Sequence, residues 1–135
     1  MDEIFHKTFK YAKQLAREFY FRVWAKSPPQ CLAFGGEVVH VTREGWEHII
    51  DDTARTRTDV LGRLFTLERA KKLLEEAATF QDHRERTDLP QKVEYWMFEA
   101  VIAEVKVRVI VRSIAGGPKH FLSVVKKGTI EPELV

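Results

Sequence analysis

The chain has one cysteine, Cys31, so no internal disulfide can form and no oxidising compartment is implied. It has no unbroken apolar run near the ~18 residues of a membrane helix, so a membrane is not an expected partner. The first ten residues, MDEIFHKTFK, begin acidic and space their apolar positions, unlike a secretory leader. A cytoplasmic location is therefore expected. Neither charge sign dominates: 22 Lys and Arg stand against 20 Asp and Glu, a net charge of +2. Bulk charge alone therefore does not call for nucleic acid, and the placement of the cations decides. Glycine is sparse, and its pairs at 35–36 and 116–117 lack the spacing of a phosphate-cradling loop. They read as turns.

What is present suits one folded unit spanning 1–135. At 44% hydrophobic residues, a chain of 135 is long enough to bury a core. Residues 1–28 read as an amphipathic helix, with apolar positions recurring every three or four residues from Ile4 to Trp24, ended by Pro28 and Pro29. Its broad apolar side either completes the core or meets a protein partner or a second copy of the chain. EVVHVT reads as a strand, and Thr42 as the N-cap of a short helix over 43–52. TARTRTDVLG reads as a basic loop, Thr66 as the cap of a further helix, and QDHRERTDLPQ as an exposed connection. VEYWMFEAVI, EVKVRVIVRSI and HFLSVVK read as strands, with AGGPK as a turn and the tail GTIEPELV irregular. The class is α+β: N-terminal helices followed by a mostly antiparallel sheet of about four strands.

The candidate chemistry starts with His48. On its helix, Trp46, Ile49 and Ile50 share one side, and His48 points well away from it at about 100° per residue. A solvated imidazole there titrates near neutral pH and is suited to acid–base work. Arg55 and Arg57 follow; a guanidinium offers a planar fork that fits phosphate. In the strand VKVRVIVR, Lys106, Arg108 and Arg112 fall on the polar face, and Lys119, His120 and Ser123 come after the turn. Such a face attracts phosphates, although cations also keep sheets soluble. If the short helix packs beside the sheet, an imidazole, guanidiniums and a hydroxyl border one cleft. Metal-independent RNA cleavage needs that set: a base for the ribose 2′-OH, cations for the phosphorane, an acid for the leaving oxygen.

Other chemistries find less. His48 has Asp51 and Asp52 at helical spacing but no second ligand cluster, and His6, His40 and His83 are isolated, so no metal site is expected. His40, in a strand, is expected to be buried. Cys31 has no identifiable catalytic partner.

The order of these parts resembles the barnase–EndoU–colicin–RelE-like ribonuclease superfamily, closest to its phage-associated and polymorphic-toxin members. VVHVT resembles the family's early strand, GWEHII its helix with an HI pair, and TARTR its basic position. LFTLERAKKLLEEAATF resembles the next helix, and KVRVIVRSIAGGPKHFLSVV the closing hairpin. The likeness covers 37–127 and leaves the first helix outside. It implies a metal- and cofactor-free endoribonuclease in which His48 is the acid–base group, Arg57 or else Arg55 contacts phosphate, and Arg112 and Ser123 complete the catalytic set. Arg108, Lys119 and His120 are the accompanying candidates for substrate binding. A second histidine, common in the family after the basic position, is missing from TRTD; His120 is the candidate to stand in. RNA is the expected partner, with an inhibitor protein or homodimer open. The alternative is a non-catalytic module that binds RNA or protein through the basic sheet face and first helix.

Overall fold

The computed structural model describes residues 2–51 and 53–129. Helix α1 spans Asp2–Glu18 and runs into a π-helical segment, Phe19–Trp24. Two short strands, β1 (Gln30–Cys31) and β2 (Glu37–Val38), form a small antiparallel pair. Then come α2 (Arg43–Ile49), α3 (Arg57–Phe65) and α4 (Leu67–Glu76). The chain closes with β3 (Asp82–Arg86), β4 (Val93–Ile102), β5 (Val105–Ile114) and β6 (His120–Thr129). These four pair antiparallel in sequence order. The fold is α+β, with helices first and a four-stranded antiparallel sheet after.

The sheet has one apolar face because β5 alternates: Val107, Val109 and Val111 are fully buried. Trp96 and Phe98 of β4 and Phe121 and Val124 of β6 extend that face, and Leu67, Ala70, Leu73 and Leu74 of α4 belong to the same core. The π-helical segment supplies Tyr20 and Trp24, both buried; Trp24 lies 4.7 Å from Phe121 between ring centroids. The end of the first helix thus completes the core. Its earlier turns leave Ile4, Tyr11 and Leu15 exposed.

Several expectations are corrected. TARTRTDVLG is mostly helix: Thr56 caps α3 by accepting the Asp59 N–H at 3.1 Å, a Thr-x-x-Asp start. QDHRERTDLPQ contains the edge strand β3, held by pairing with β4 despite having no apolar alternation. EVVHVT is strand only at its start; His40 makes an isolated bridge to His120 and is exposed rather than buried. Thr66 occupies the N-cap position of α4 but makes no capping bond; its hydroxyl donates to the carbonyls of Gly62 and Arg63. Thr42 occupies the N-cap position of α2, yet its hydroxyl makes no capping bond. The β4–β5 turn is two residues, Ala103 and Glu104, both at positive φ (52° and 67°), a backbone that Asn and Gly adopt more readily. The tail from Ile130 lies outside the described residues.

One glycine fixes where α2 sits. A Cβ on Gly45 would lie 2.5 Å from Tyr20 Oη and 2.7 Å from the Phe121 carbonyl oxygen. Only glycine allows the helix to approach the backbone of β6 so closely. Tyr20 Oη, 2.6 Å from the Thr42 carbonyl, donates to it and ties the start of α2 to the core. Beyond the bridge at His40, the N–H of Phe121 donates to the His40 carbonyl. The outer margin of β6 is therefore covered by the 40–41 segment, α2 and α3.

Candidate active site at the covered margin of the sheet

The α2 backbone held by Gly45 carries Glu44 and His48 four residues apart, hence on one side of the helix. Both reach the margin of β6. Glu44 accepts a short hydrogen bond from the Arg112 guanidinium of β5. Arg112 Nε also lies 3.1 Å from His120 Nε2, directly opposite it in the strand register. That neutral imidazole nitrogen accepts from the guanidinium, while the Pro118 carbonyl engages the ring from the backbone. His48 Nε2 stands 3.2 Å from Arg55 Nη2. Arg63 of α3 donates from Nη1 to Ser123 Oγ at 2.9 Å and to the Val124 carbonyl at 3.1 Å.

Charge ties these contacts into one cluster. His48 is held below the ordinary histidine value first by partial burial, then by the positive charges of Arg55, Arg63 and Arg112, with Asp51 opposing. His120 is lowered by partial burial and by Arg112, opposed by Glu44. Glu44 is lowered chiefly by its hydrogen bond from Arg112, against a smaller rise from burial. Arg63 is lowered by burial and by Arg55 beside it. Two imidazoles in their neutral form therefore sit among three guanidiniums, with Glu44 and Asp59 as the carboxylates in contact. Asp59 is shared: it lies 3.7 Å from Arg55 and 3.4 Å from Arg63. Arg55 Nε is buried without a hydrogen-bond partner. An excess of partly buried cationic donors is a setting that favours an incoming anion.

The structure brings His48, Arg55, Arg112, His120 and Ser123 to this margin. It places three other candidates elsewhere. Arg57, the first residue of α3, turns to α1, where Nη1 lies 3.1 Å from His6 Nδ1 and the guanidinium covers the Phe9 ring. Arg108 pairs with Glu99 at 3.0 Å. Lys119 pairs with Glu37 at 2.9 Å and sits over the Phe34 and Trp96 rings. Glu44 and Arg63 were not candidates in the sequence. Glu44 had a signal, its position four before His48; Arg63 had none until α3 was known to be a helix.

Cys31 is buried, and that burial pushes its thiol up, away from the thiolate a nucleophile needs. Among the described residues no helix is long and apolar enough to cross a membrane. No family model, curated protein or solved structure matches the chain.

Proposed function

We propose that the chain is a metal-independent endoribonuclease that cleaves by attack of the ribose 2′-OH on the adjacent phosphate. The observation that carries this is the meeting of His48 and His120 with Arg55, Arg63 and Arg112 on one margin of the sheet. His48, surrounded by cations and neutral at pH 7, is the base that takes the 2′-OH proton. His120 is held neutral in the free chain by partial burial and Arg112, with Glu44 opposing; once an anion is bound and the ring takes up a proton, it is the acid for the leaving 5′ oxygen. A bound phosphate adds its negative charge beside His120 and raises that imidazole, while Arg55 and Arg63 keep His48 the free base. Arg112 and Arg63 stabilise the charge that grows on the phosphorane, and Ser123, held by Arg63, orients that guanidinium. The positive cluster disfavours a divalent cation at the same spot. The phage-associated or toxin-like context and the cytoplasmic location belong to this same proposal.

The experiment is incubation of single-stranded RNA with purified protein in EDTA. Fragments ending in 2′,3′-cyclic phosphate are expected, and their absence with the wild-type protein overturns the reading. RNA retained in a salt-sensitive manner but left whole would make the site a binding surface. A protein-docking role has its own support in the exposed Ile4, Tyr11 and Leu15 of α1. Charged substitutions there would then break a complex and leave RNA untouched.

A further inference from the structure

The strand register sets four side chains in a straight line across the sheet. Arg84 of β3 is opposite Tyr95 of β4, Tyr95 is opposite Arg112 of β5, and Arg112 is opposite His120 of β6. Opposed residues project on the same face. This face is the one turned away from the core, because Trp96, Phe98, Val109 and Val111 take the other. The row begins inside the cationic cluster at His120 and ends at Arg84, whose side chain is 80% exposed. Three strand spacings separate its ends, about 14 Å.

Beside the row lies a groove of about 250 Å³ lined by Asp82, Arg84, Tyr95, Met97, Arg108 and Ile110. Met97 and Ile110 are opposed in register and give it an apolar floor, Tyr95 gives it an aromatic wall, and the charged residues form the rim. It falls below the ~300–1,000 Å³ of ordinary small-molecule pockets, which suits one planar ring rather than a larger ligand.

We infer that this row is a track for single-stranded RNA, with the nucleobase next to the reacting phosphate stacked on Tyr95 in the groove. The inference rests on the ribonuclease reading for its phosphate position and deepens it by naming the substrate form. One phosphate sits at Arg112 and His120. The adjoining base turns onto Tyr95, where an aromatic ring accepts any base by its π-face. Arg84, two strands from Arg112 and about 10 Å away, meets the following phosphate on its long side chain after leaving Asp82. A base paired in an A-form duplex stays in its stack, and its major-groove edge is too deep to reach, so double-stranded RNA does not fill the groove.

The test uses a uniformly 2′-fluoro single-stranded oligonucleotide carrying 2-aminopurine, which binds but has no 2′-OH to react. Wild-type protein is expected to change its emission and to bind it at least tenfold more tightly than the same sequence in a duplex. Tyr95→Ser is expected to weaken single-strand binding about tenfold or more, the size of one base–aromatic stack, while Tyr95→Phe keeps it. Arg84→Gln, at a side chain 80% exposed, is expected to lower the salt dependence by about one ion contact. Equal binding of duplex and single strand, or binding indifferent to both Tyr95→Ser and Arg84→Gln, overturns the track. If RNA is cleaved and binding is indifferent, the track falls and the nuclease stands. If RNA stays whole and binding needs Tyr95, the track stands and the nuclease falls.

Discussion

The two ends of the sheet carry similar numbers of cations and handle them in opposite ways. At the β3–β4 end each is matched to a neighbouring acid: Arg84 to Asp82, Arg86 to Asp88, Lys92 to Glu85. These pairs are exposed, cost side-chain entropy to hold, and contribute little to stability. They also guard the open edge of β3 against pairing with another chain. At the β6 end Arg55, Arg63 and Arg112 have side chains only 11%, 12% and 16% exposed, and they donate to imidazole nitrogens, a hydroxyl and a carbonyl as well as to acids. Composition does not separate the two ends. What separates them is burial and partner: a ligand at the β3–β4 end must first draw an exposed cation such as Arg84 from its acid, whereas the β6 end holds several half-buried guanidiniums around shared acids and neutral acceptors.

The largest expected effect sharpens that contrast. His48→Ala should lower RNA cleavage by about 10²-fold or more, the usual size of an acid–base contribution, with the fold intact by circular dichroism. His83→Ala, which removes the 2.9 Å contact to Glu94 at the other end, should leave the rate unchanged. Equal losses in a gel assay of both variants would erase the distinction between the ends.

Next in size is Gly45→Ala. The added Cβ collides with the Tyr20 hydroxyl and the Phe121 backbone, and the backbone cannot yield as a flexible side chain would. Overpacking of this kind costs about 1–3 kcal/mol. Chemical denaturation should show that loss, and activity should fall further than stability because Glu44 and His48 move with the helix. An unchanged midpoint would mean that α2 is not pinned to β6.

The pH response comes third. His48 and His120 titrate lower in the folded chain than the ordinary 6.5 they regain on unfolding. The unfolded chain therefore binds more protons as pH falls through and below 6.5. The stability that keeping the imidazoles neutral contributes is full above that value and is lost on acidification. Thermal melting in buffers without phosphate should drop between pH 7 and 5, less so in a His48→Gln, His120→Gln double variant. An anion in the site should narrow the drop, because it favours the protonated form of His120. A pH-independent melt would mean that neither ring titrates lower in the folded chain than in the unfolded one.

The smallest effects belong to the paired region. Arg86→Gln, at an exposed pair, should leave the unfolding midpoint where it is. Replacing Ala103-Glu104 by Asn-Gly should raise stability by about 0.5–1 kcal/mol, since those residues suit the positive φ values already present. Differential scanning calorimetry resolves both.

The same contrast explains what the sequence made legible. Strands β4, β5 and β6 announce themselves because a buried face imposes alternation on residues such as Val107, Val109 and Val111. β3 has no such face to fill: DHRER forms a strand because β4 offers it hydrogen bonds, a cause that lies outside its own residues. α3 was hidden behind the basic character of TARTR, although Thr56 and Asp59 mark its first turn. That one boundary decides which arginine meets His48. Arg55 precedes the cap and stays near α2; Arg57 begins the helix and faces α1. Arg112, His120 and Ser123 could be picked from strand periodicity, whereas their meeting with α2 depends on the fit of Gly45 against Phe121, which no local pattern displays.

That fit joins two distant stretches of chain. His48 belongs to the half before the 77–81 linker and His120 to the half after it. Neither fragment alone holds a complete pair of imidazoles. On the proposed mechanism, a polypeptide divided at this linker is silent in each piece, and restored cleavage would report that the pieces had found each other.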